Sequence, residues 1–277
     1  MEFTKMEGLG NDFIIIDNRT NHIKEEDYSS LAEKLCDRRF GIGADGIILA
    51  LQSSEYDIKF RIFNNDGSEA EMCGNGIRCF AKFIYEKEIV KKNKFYVETL
   101  AGIIIPEFIF DEENIIAVRV DMGEPVLDNV KIPFISEEER SLSESIKIDG
   151  DTYNITTVSM GNPHAVIYVD SLDMDIEKTG KKIENHERFP QKTNVEFVKV
   201  ESRSKLKMRV WERGVGETLA CGTGACAVLV SSHLNELSDR TAIVQLSGGD
   251  LSIEWGMDNH IYKTGPALKV FEGYIRI

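Results

Sequence analysis

Two stretches of this chain join a thiol to glycines in one spacing: Cys73-Gly74-Asn75-Gly76 and Cys221-Gly222-Thr223-Gly224. Each precedes an apolar-periodic stretch, so each cysteine is expected on the loop entering a helix. Backbone N–H groups at such an end are unpaired and carry partial positive charge. Glycines let a ligand approach those donors closely, so two such ends facing a cleft would grip a carboxylate or phosphate between them. The same field favours thiolate over thiol. A buried packing cysteine is the plain alternative for any single case, but it gives no reason for the same two glycines to recur. Cys36, Cys79 and Cys226 fall within helical stretches and read as packing residues.

Two thiols facing one bound carboxylate suit the inversion of an amino-acid α-carbon. One thiolate removes the α-proton while the opposite thiol supplies a proton to the other face, and the roles exchange in the reverse direction. Helix N–H groups on the α-carboxylate would stabilise the enolate-like charge, at about 3 kcal/mol per donor. Water exclusion on closure would strengthen this. The chemistry requires no cofactor and no metal.

The elements that must position these turns are mostly strands. Short β-branched runs occupy 13–16, 47–49, 58–63, 103–105, 117–120, 165–169, 195–200 and 207–211, several alternating apolar with charged residues as half-buried strands do. Helical patterns are fewer, at 28–38, 76–86 and 224–237. The acidic segment 136–145 reads as a solvated loop. The fold class expected is α+β with mainly antiparallel sheets.

The chain also repeats itself. Gly10-Asn11 returns as Gly161-Asn162, and the block from Ile62 to Gly76 returns as Val210 to Gly224. Val97-Glu98-Thr99 through Glu107-Phe108 returns as Val244-Gln245-Leu246 through Glu254-Trp255. Three matches in one order at nearly one offset mark a duplicated domain; the period is far too long for a solenoid. Two pseudo-symmetric domains, each a sheet or barrel wrapped around a central helix, would place the site in the cleft between them.

Composition bounds the rest. Of 277 residues, 47 are acidic and 33 basic, for a formal charge of −14, which argues against a general binder of nucleic acid or anionic lipid. No apolar run approaches a membrane span, and the first residues lack a signal-peptide pattern. Five cysteines in a long chain do not make a disulfide scaffold, so a reducing, cytoplasmic setting is expected.

Beyond these features, the sequence resembles the diaminopimelate epimerases from end to end. The resemblance is carried by Lys5 to Phe13, Phe63 to Glu69, Met72 to Phe80, Met160-Gly161-Asn162-Pro163-His164, Asn185 to Pro190, and Glu212 to Thr218 leading into Cys221. It implies a cofactor-independent epimerase interconverting LL- and meso-2,6-diaminopimelate in lysine and peptidoglycan precursor synthesis. Cys73 and Cys221 would be the acid/base pair, assisted by His164 and Glu212. Asn11, Asn64, Asn162 and Asn194 would bind substrate, with Glu212 and Arg213 at its distal end and Gly74, Asn75, Gly222 and Thr223 at the reacting carboxylate. The rigid fork of Arg213 suits a bidentate grip on the second carboxylate.

The resemblance places domain one at 1–119 plus 266–277 and domain two at 120–265. It also implies a homodimer, but Phe271 stands where some members have Tyr, so an apolar contact could persist there without a hydroxyl bond. Gly46 stands where some members have a substrate-contacting Gln.

Other readings carry less. Gly41-Ile42-Gly43-Ala44-Asp45-Gly46 fits a dinucleotide fingerprint on paper, but the strand follows it instead of preceding it. The gaps within Cys73, Cys79, Cys221 and Cys226 fit a zinc site poorly. A thiol redox switch and a proline-racemase-like activity are the remaining alternatives.

Overall fold

The computed structural model describes residues 1–276; Ile277, the last residue of the segment expected to return to domain one, lies outside them. The chain divides into two compact units, Met1–Asp121 with Thr264–Ile277 and Met122–Lys263.

Unit 1 opens with strands β1 (Glu2–Gly8) and β2 (Asn11–Asp17), then helix α1 (Tyr28–Cys36) and strands β3 (Gly46–Leu51), β4 (Ile58–Asn64) and β5 (Glu69–Ala70). Helix α2 (Gly76–Glu86) leads to β6 (Val97–Thr99), β7 (Gly102–Ile104) and the hairpin β8 (Glu107–Asp111) and β9 (Asn114–Asp121). Unit 2 runs through β10 (Glu144–Ile148), β11 (Asp151–Ser159), β12 (Pro163–Tyr168), α3 (Ile176–Glu184), β13 (Asn194–Ser202), β14 (Lys205–Glu212) and β15 (Gly216–Thr218). It ends with α4 (Gly222–Leu234), β16 (Thr241–Leu246), β17 (Gly249–Trp255) and β18 (Ile261–Gly265); β19 (Leu268–Tyr274) then pairs with β1 in unit 1.

The fold is α+β, and both units follow one plan. Strands are ordered β19-β1-β2-β3-β4-β6-β7 in the first and β10-β11-β12-β13-β14-β16-β17-β18 in the second. Antiparallel pairs predominate, yet each sheet holds two parallel pairs, β2·β3 and β4·β6 in one and β12·β13 and β14·β16 in the other. Each parallel pair is joined through a helix, because strands running the same way need a crossover. The two copies of α1 and α3, and of α2 and α4, are those crossovers.

The registers match across the duplication. In unit 1 Phe13 faces Gly46, and Gly46 faces Asn64. In unit 2 His164 faces Asn194, and Val195 faces Trp211 as Ile47 faces Phe63. Phe13 therefore corresponds to His164, Gly46 to Asn194, Ile48 to Glu196 and Asn64 to Glu212.

The two helix classes differ in burial. In α1 the buried residues Tyr28, Leu31, Ala32, Leu35 and Cys36 form a single stripe, so it covers one face of a sheet. Helix α4 is buried continuously from Gly224 to Ser232, and α2 from Gly76 to Ala81. Such helices sit inside a curved sheet, and the strands beneath them are buried on both faces: Phe13–Ile16, Ile47–Ala50 and Asn194–Val198. For Asn194–Val198, whose acid sits between apolar residues, that corrects the half-buried reading.

Helix α3 escaped the sequence pattern because its apolar content is low. It is fixed instead by Asp175, whose side chain accepts from the Lys178 N–H, and by Gly180, where a Cβ would come within 2.6 Å of Trp211. The segment 136–145 is also less solvated than expected: Ser141 is buried, and Glu144, already in β10, pairs with Arg188.

The start of β2 is clamped by charge. Asp12 pairs with the mostly buried Lys5 at 2.7 Å and with Arg38 at 2.8 Å, while Arg38 also reaches Asp45 at 2.8 Å. Asp45 in turn accepts from the Asn11 side chain at 2.5 Å, so the clamp fixes that amide.

Two stability predictions follow from these packing facts. Burial raises the Asp12 carboxyl, but bonds and charge from Arg38 and Lys5 outweigh it and hold it at about 2. A carboxyl so lowered stabilises the fold above about pH 4, and the contribution fades as pH falls toward about 2, on the order of 1–2 kcal/mol. Urea melts across pH 2–5 should show this loss in the unmodified chain and not in Asp12→Asn. Separately, a Cβ at Gly46 would meet the Phe63 carbonyl oxygen at 2.6 Å. Gly46→Ala should therefore destabilise by about 1–3 kcal/mol, measured by chemical denaturation.

Candidate active site

In unit 1 the Cys73 thiol lies at the start of α2. The Gly76 N–H donates to its sulfur at 3.4 Å, and the Ile77 N–H donates to the Cys73 carbonyl at 2.8 Å. A side chain at Gly76 would be crowded, because a Cβ would lie 3.3 Å from Cys73 and 3.2 Å from Ile48. The thiol is half-buried and points toward the Asn11 side-chain oxygen at 3.7 Å. Since Asp45 takes the Asn11 amide N–H, the oxygen is the end that meets sulfur.

Beneath this turn lies Arg78, fully buried, donating to the Gly74 carbonyl, the Asn75 side chain and the Pro266 carbonyl. It holds the turn's carbonyls inward and leaves the N–H groups at the helix start facing out. The Asn75 side-chain oxygen is thus committed to Arg78, and only its NH2 and backbone could serve a ligand. Asn64, at the end of β4, is half-buried and donates to Ser68 at 3.0 Å.

Unit 2 repeats the turn with a different surround. The Gly224 N–H donates to the Cys221 sulfur at 3.3 Å, and the Ala225 N–H to its carbonyl at 3.0 Å. The Thr223 hydroxyl lies 3.5 Å from the same sulfur. Cys221 is buried; burial first, then the Glu212 and Glu196 charges, push its thiol well above the ordinary value. Burial also raises the Glu212 carboxyl, with Glu196 adding, against lowering by Thr218, His164 and Cys221.

The remaining expected residues of this unit lie at the same strand level. His164 is buried, with Nδ1 2.6 Å from Glu196 and Nε2 3.1 Å from the Asn162 side-chain oxygen. Asn194 accepts from the Arg213 N–H and donates to the Pro163 carbonyl, so its side chain ties β12 to the loop after β14. Arg213 is exposed, with its guanidinium donating to the Gln191 carbonyl at 3.1 Å. A Cβ at Gly222 would meet the Lys263 ammonium at 2.5 Å, so a buried cation sits at the start of α4.

Unit 1 thus joins Cys73 to Asn11, and unit 2 joins Cys221, Glu212, His164, Asn162 and Asn194. Sequence reasoning passed over Asp45, Arg78, Glu196 and Lys263. Arg78 lay within the helical stretch 76–86 and Lys263 in a segment assigned no element, and only burial separates them from solvated charges.

The other thiols are packing residues: burial pushes Cys36 and Cys79 to about 12. None of the five cysteines is in a disulfide, and among the described residues no group of three or more His, Cys, Asp or Glu side chains is placed to hold a metal ion. No helix among the described residues is long and apolar enough to cross a membrane.

Comparison with known proteins bears on this arrangement. A profile of the family described as diaminopimelate epimerase matches residues 3–127 and 156–270. A diaminopimelate epimerase of Desulforapulum autotrophicum is 57% identical, over 100% of this chain and 99% of its own length. One from Methanococcus maripaludis is 53% identical over the whole of both chains. Among solved structures, a phenazine biosynthesis protein of the PhzF family from Bacillus anthracis superposes with a TM-score of 0.72 at 18% identity, covering 100% of this chain and 99% of its own. A hydroxyproline epimerase from Agrobacterium vitis gives 0.66 at 14%, covering 99% and 90%. The last two show the fold alone, whereas the profile and the close relatives decide the family. This chain belongs to the diaminopimelate epimerase family.

Proposed function

We propose that this chain interconverts LL- and meso-2,6-diaminopimelate, with Cys73 and Cys221 as the two acid/base groups. The observation that carries the reading is the repeated thiol at a helix start, each sulfur receiving the N–H of the glycine three residues on, at 3.4 and 3.3 Å.

The reaction needs a base on one face of the α-carbon and an acid on the other. With Cys221 pushed well up by burial and neighbouring carboxylates, it rests as the thiol and is the proton donor. Cys73 is then the base in the same direction. The C–H bond breaks to the Cys73 thiolate, its electron pair spreads into the α-carboxylate, and the Cys221 proton closes the opposite face. After turnover Cys73 holds the proton and Cys221 is the thiolate, which is the state the reverse reaction requires.

Other residues take roles by position. Asn11 accepts toward the Cys73 thiol, while Glu212 accepts from the Thr218 hydroxyl and its charge bears on Cys221. Backbone N–H groups at the starts of α2 and α4 would bind the reacting carboxylate, and the Arg78 and Lys263 cations support that charge. The exposed Arg213 would hold the distal carboxylate, which distinguishes diaminopimelate from a substrate with one carboxylate. The reading places the enzyme among cytoplasmic enzymes of lysine and peptidoglycan precursor synthesis, acting on a small molecule and without a cofactor. A homodimer through the β19 edge, where Phe271 packs on Phe3, belongs to the same proposal.

Proton exchange in deuterated water tests the assignment. Diaminopimelate should gain one α-deuterium per inversion, and proline none; exchange of proline alone would overturn it. Cys73→Ala and Cys221→Ala should each lower turnover by at least about a thousandfold while leaving the circular dichroism spectrum unchanged. Retained turnover in either would exclude two-base chemistry.

A bell-shaped dependence of kcat/KM on pH is expected, its two limbs belonging to the thiol pair jointly. Replacing Glu212 by Gln should move the alkaline limb to lower pH, since the Glu212 charge raises Cys221. A flat profile across neutral pH, or an unmoved one in the variant, would exclude this assignment.

A further inference from the structure

The duplicated registers expose a substitution that the fold does not need. Under α2, the unit 1 sheet presents Phe13 and Ile48, both buried and apolar. At the corresponding places under α4, unit 2 presents His164 and Glu196, both with 0% exposure. A second contact confirms the equivalence: a Cβ on Gly76 would touch Ile48 and Cys73, and one on Gly224 would touch Glu196 and Cys221. The same scaffold therefore packs with an apolar pair in one copy and an ionisable pair in the other.

Burying a carboxylate is costly unless it is paired and its lone pairs are satisfied. Here Oε1 meets Nδ1 of His164 at 2.6 Å, while Oε2 is buried with no hydrogen-bond partner among the described residues. Unit 1 shows that phenylalanine and isoleucine serve the packing, so the polar pair is retained at the expense of stability. Its place explains why: the Glu196 oxygen would be 2.7 Å, and the Cys221 sulfur 3.2 Å, from a Cβ on Gly224, so carboxylate and thiol flank the same glycine.

Building on the epimerase reading above, we propose that Glu196 is a positioning residue: it keeps a proton on Nδ1 of His164 and so fixes the imidazole's orientation, with Nε2 toward the Asn162 oxygen and the ring beside Glu212. It touches no substrate and acts through His164. A carboxylate that orients a histidine in this way commonly changes activity by one to two orders of magnitude. The charge of Glu196 also bears on Cys221 and Glu212, which both stand above their ordinary values partly because of it.

Nitrogen-15 NMR of the ligand-free full chain reads the tautomer directly. His164 should carry its proton on Nδ1, and in Glu196→Gln the amide N–H should displace that proton to Nε2. With diaminopimelate, Glu196→Gln should lower kcat at least about tenfold, with KM within about twofold. Its Tm should stay within about 4 °C of the parent. In a His164→Asn background the same change should cost less than about twofold, because its route of action is gone.

If Glu196→Gln does not fold, Glu196→Ile, the unit 1 residue, takes its place and should show the same loss in kcat. Unchanged imidazole signals in Glu196→Gln, or losses in kcat that multiply in the double variant, would overturn the proposal. Should the unmodified chain fail to exchange diaminopimelate, the epimerase reading falls, while the tautomer measurement still decides the role of Glu196.

Discussion

A sulfur atom held by the backbone N–H three residues further on, at the first turn of a buried helix, is the constraint on which the remaining structure turns. It is least crowded when the residue supplying that N–H has no side chain. At Gly76 and Gly224 a Cβ would come within 3.3 Å of the preceding cysteine and press on the strand below. The glycines therefore belong to the thiol's geometry as much as to any ligand. The helix must also be buried, since its N-terminal donors strengthen as water is excluded. That demand explains why α2 and α4 run inside curved sheets and why the strands under them are buried on both faces.

Once the turn is fixed, the two copies are free to diverge around it. Unit 1 sets its thiol against a neutral amide whose orientation is dictated by a charge clamp, Asn11 held by Asp45 and Arg38. Unit 2 sets its thiol among carboxylates and an imidazole, with His164 level with Asn194 and its partner Glu196 two residues further along β13. Equivalent positions carry Asn64 and Glu212, Gly46 and Asn194, Ile48 and Glu196. The scaffold is symmetric in its hydrogen-bond registers and asymmetric in its charges. Burial and these charges together hold the Cys221 thiol well above its ordinary value.

Buried cations complete the picture in both copies. Arg78 braces the first turn from below, and Lys263 lies against the backbone of the second. They differ in residue type and in chain position, one within the helix and the other on a strand near the end of the unit. Each adds positive potential where a helix start already provides it. A carboxylate gripped there would meet backbone donors first and these cations behind them.

Spacing alone made several features readable in the chain. The glycine-bracketed cysteines, the repeat and the α+β class are local or periodic signals, and neither burial nor register is needed to see them. Helix α3 was not readable, because Gly180 earns its place only by touching Trp211, a contact between residues far apart in sequence. Glu196 was not readable either: in Val195-Glu196-Phe197 an acid between apolar residues looks like the solvent side of a half-buried strand. Whether such a residue faces water or a helix depends on what covers the sheet. The amino-acid order thus determined which chemical groups recur and at what spacing, because those follow from chain-local geometry. Tertiary structure decided which charges are buried and which groups they orient, because burial and pairing arise only when distant segments meet.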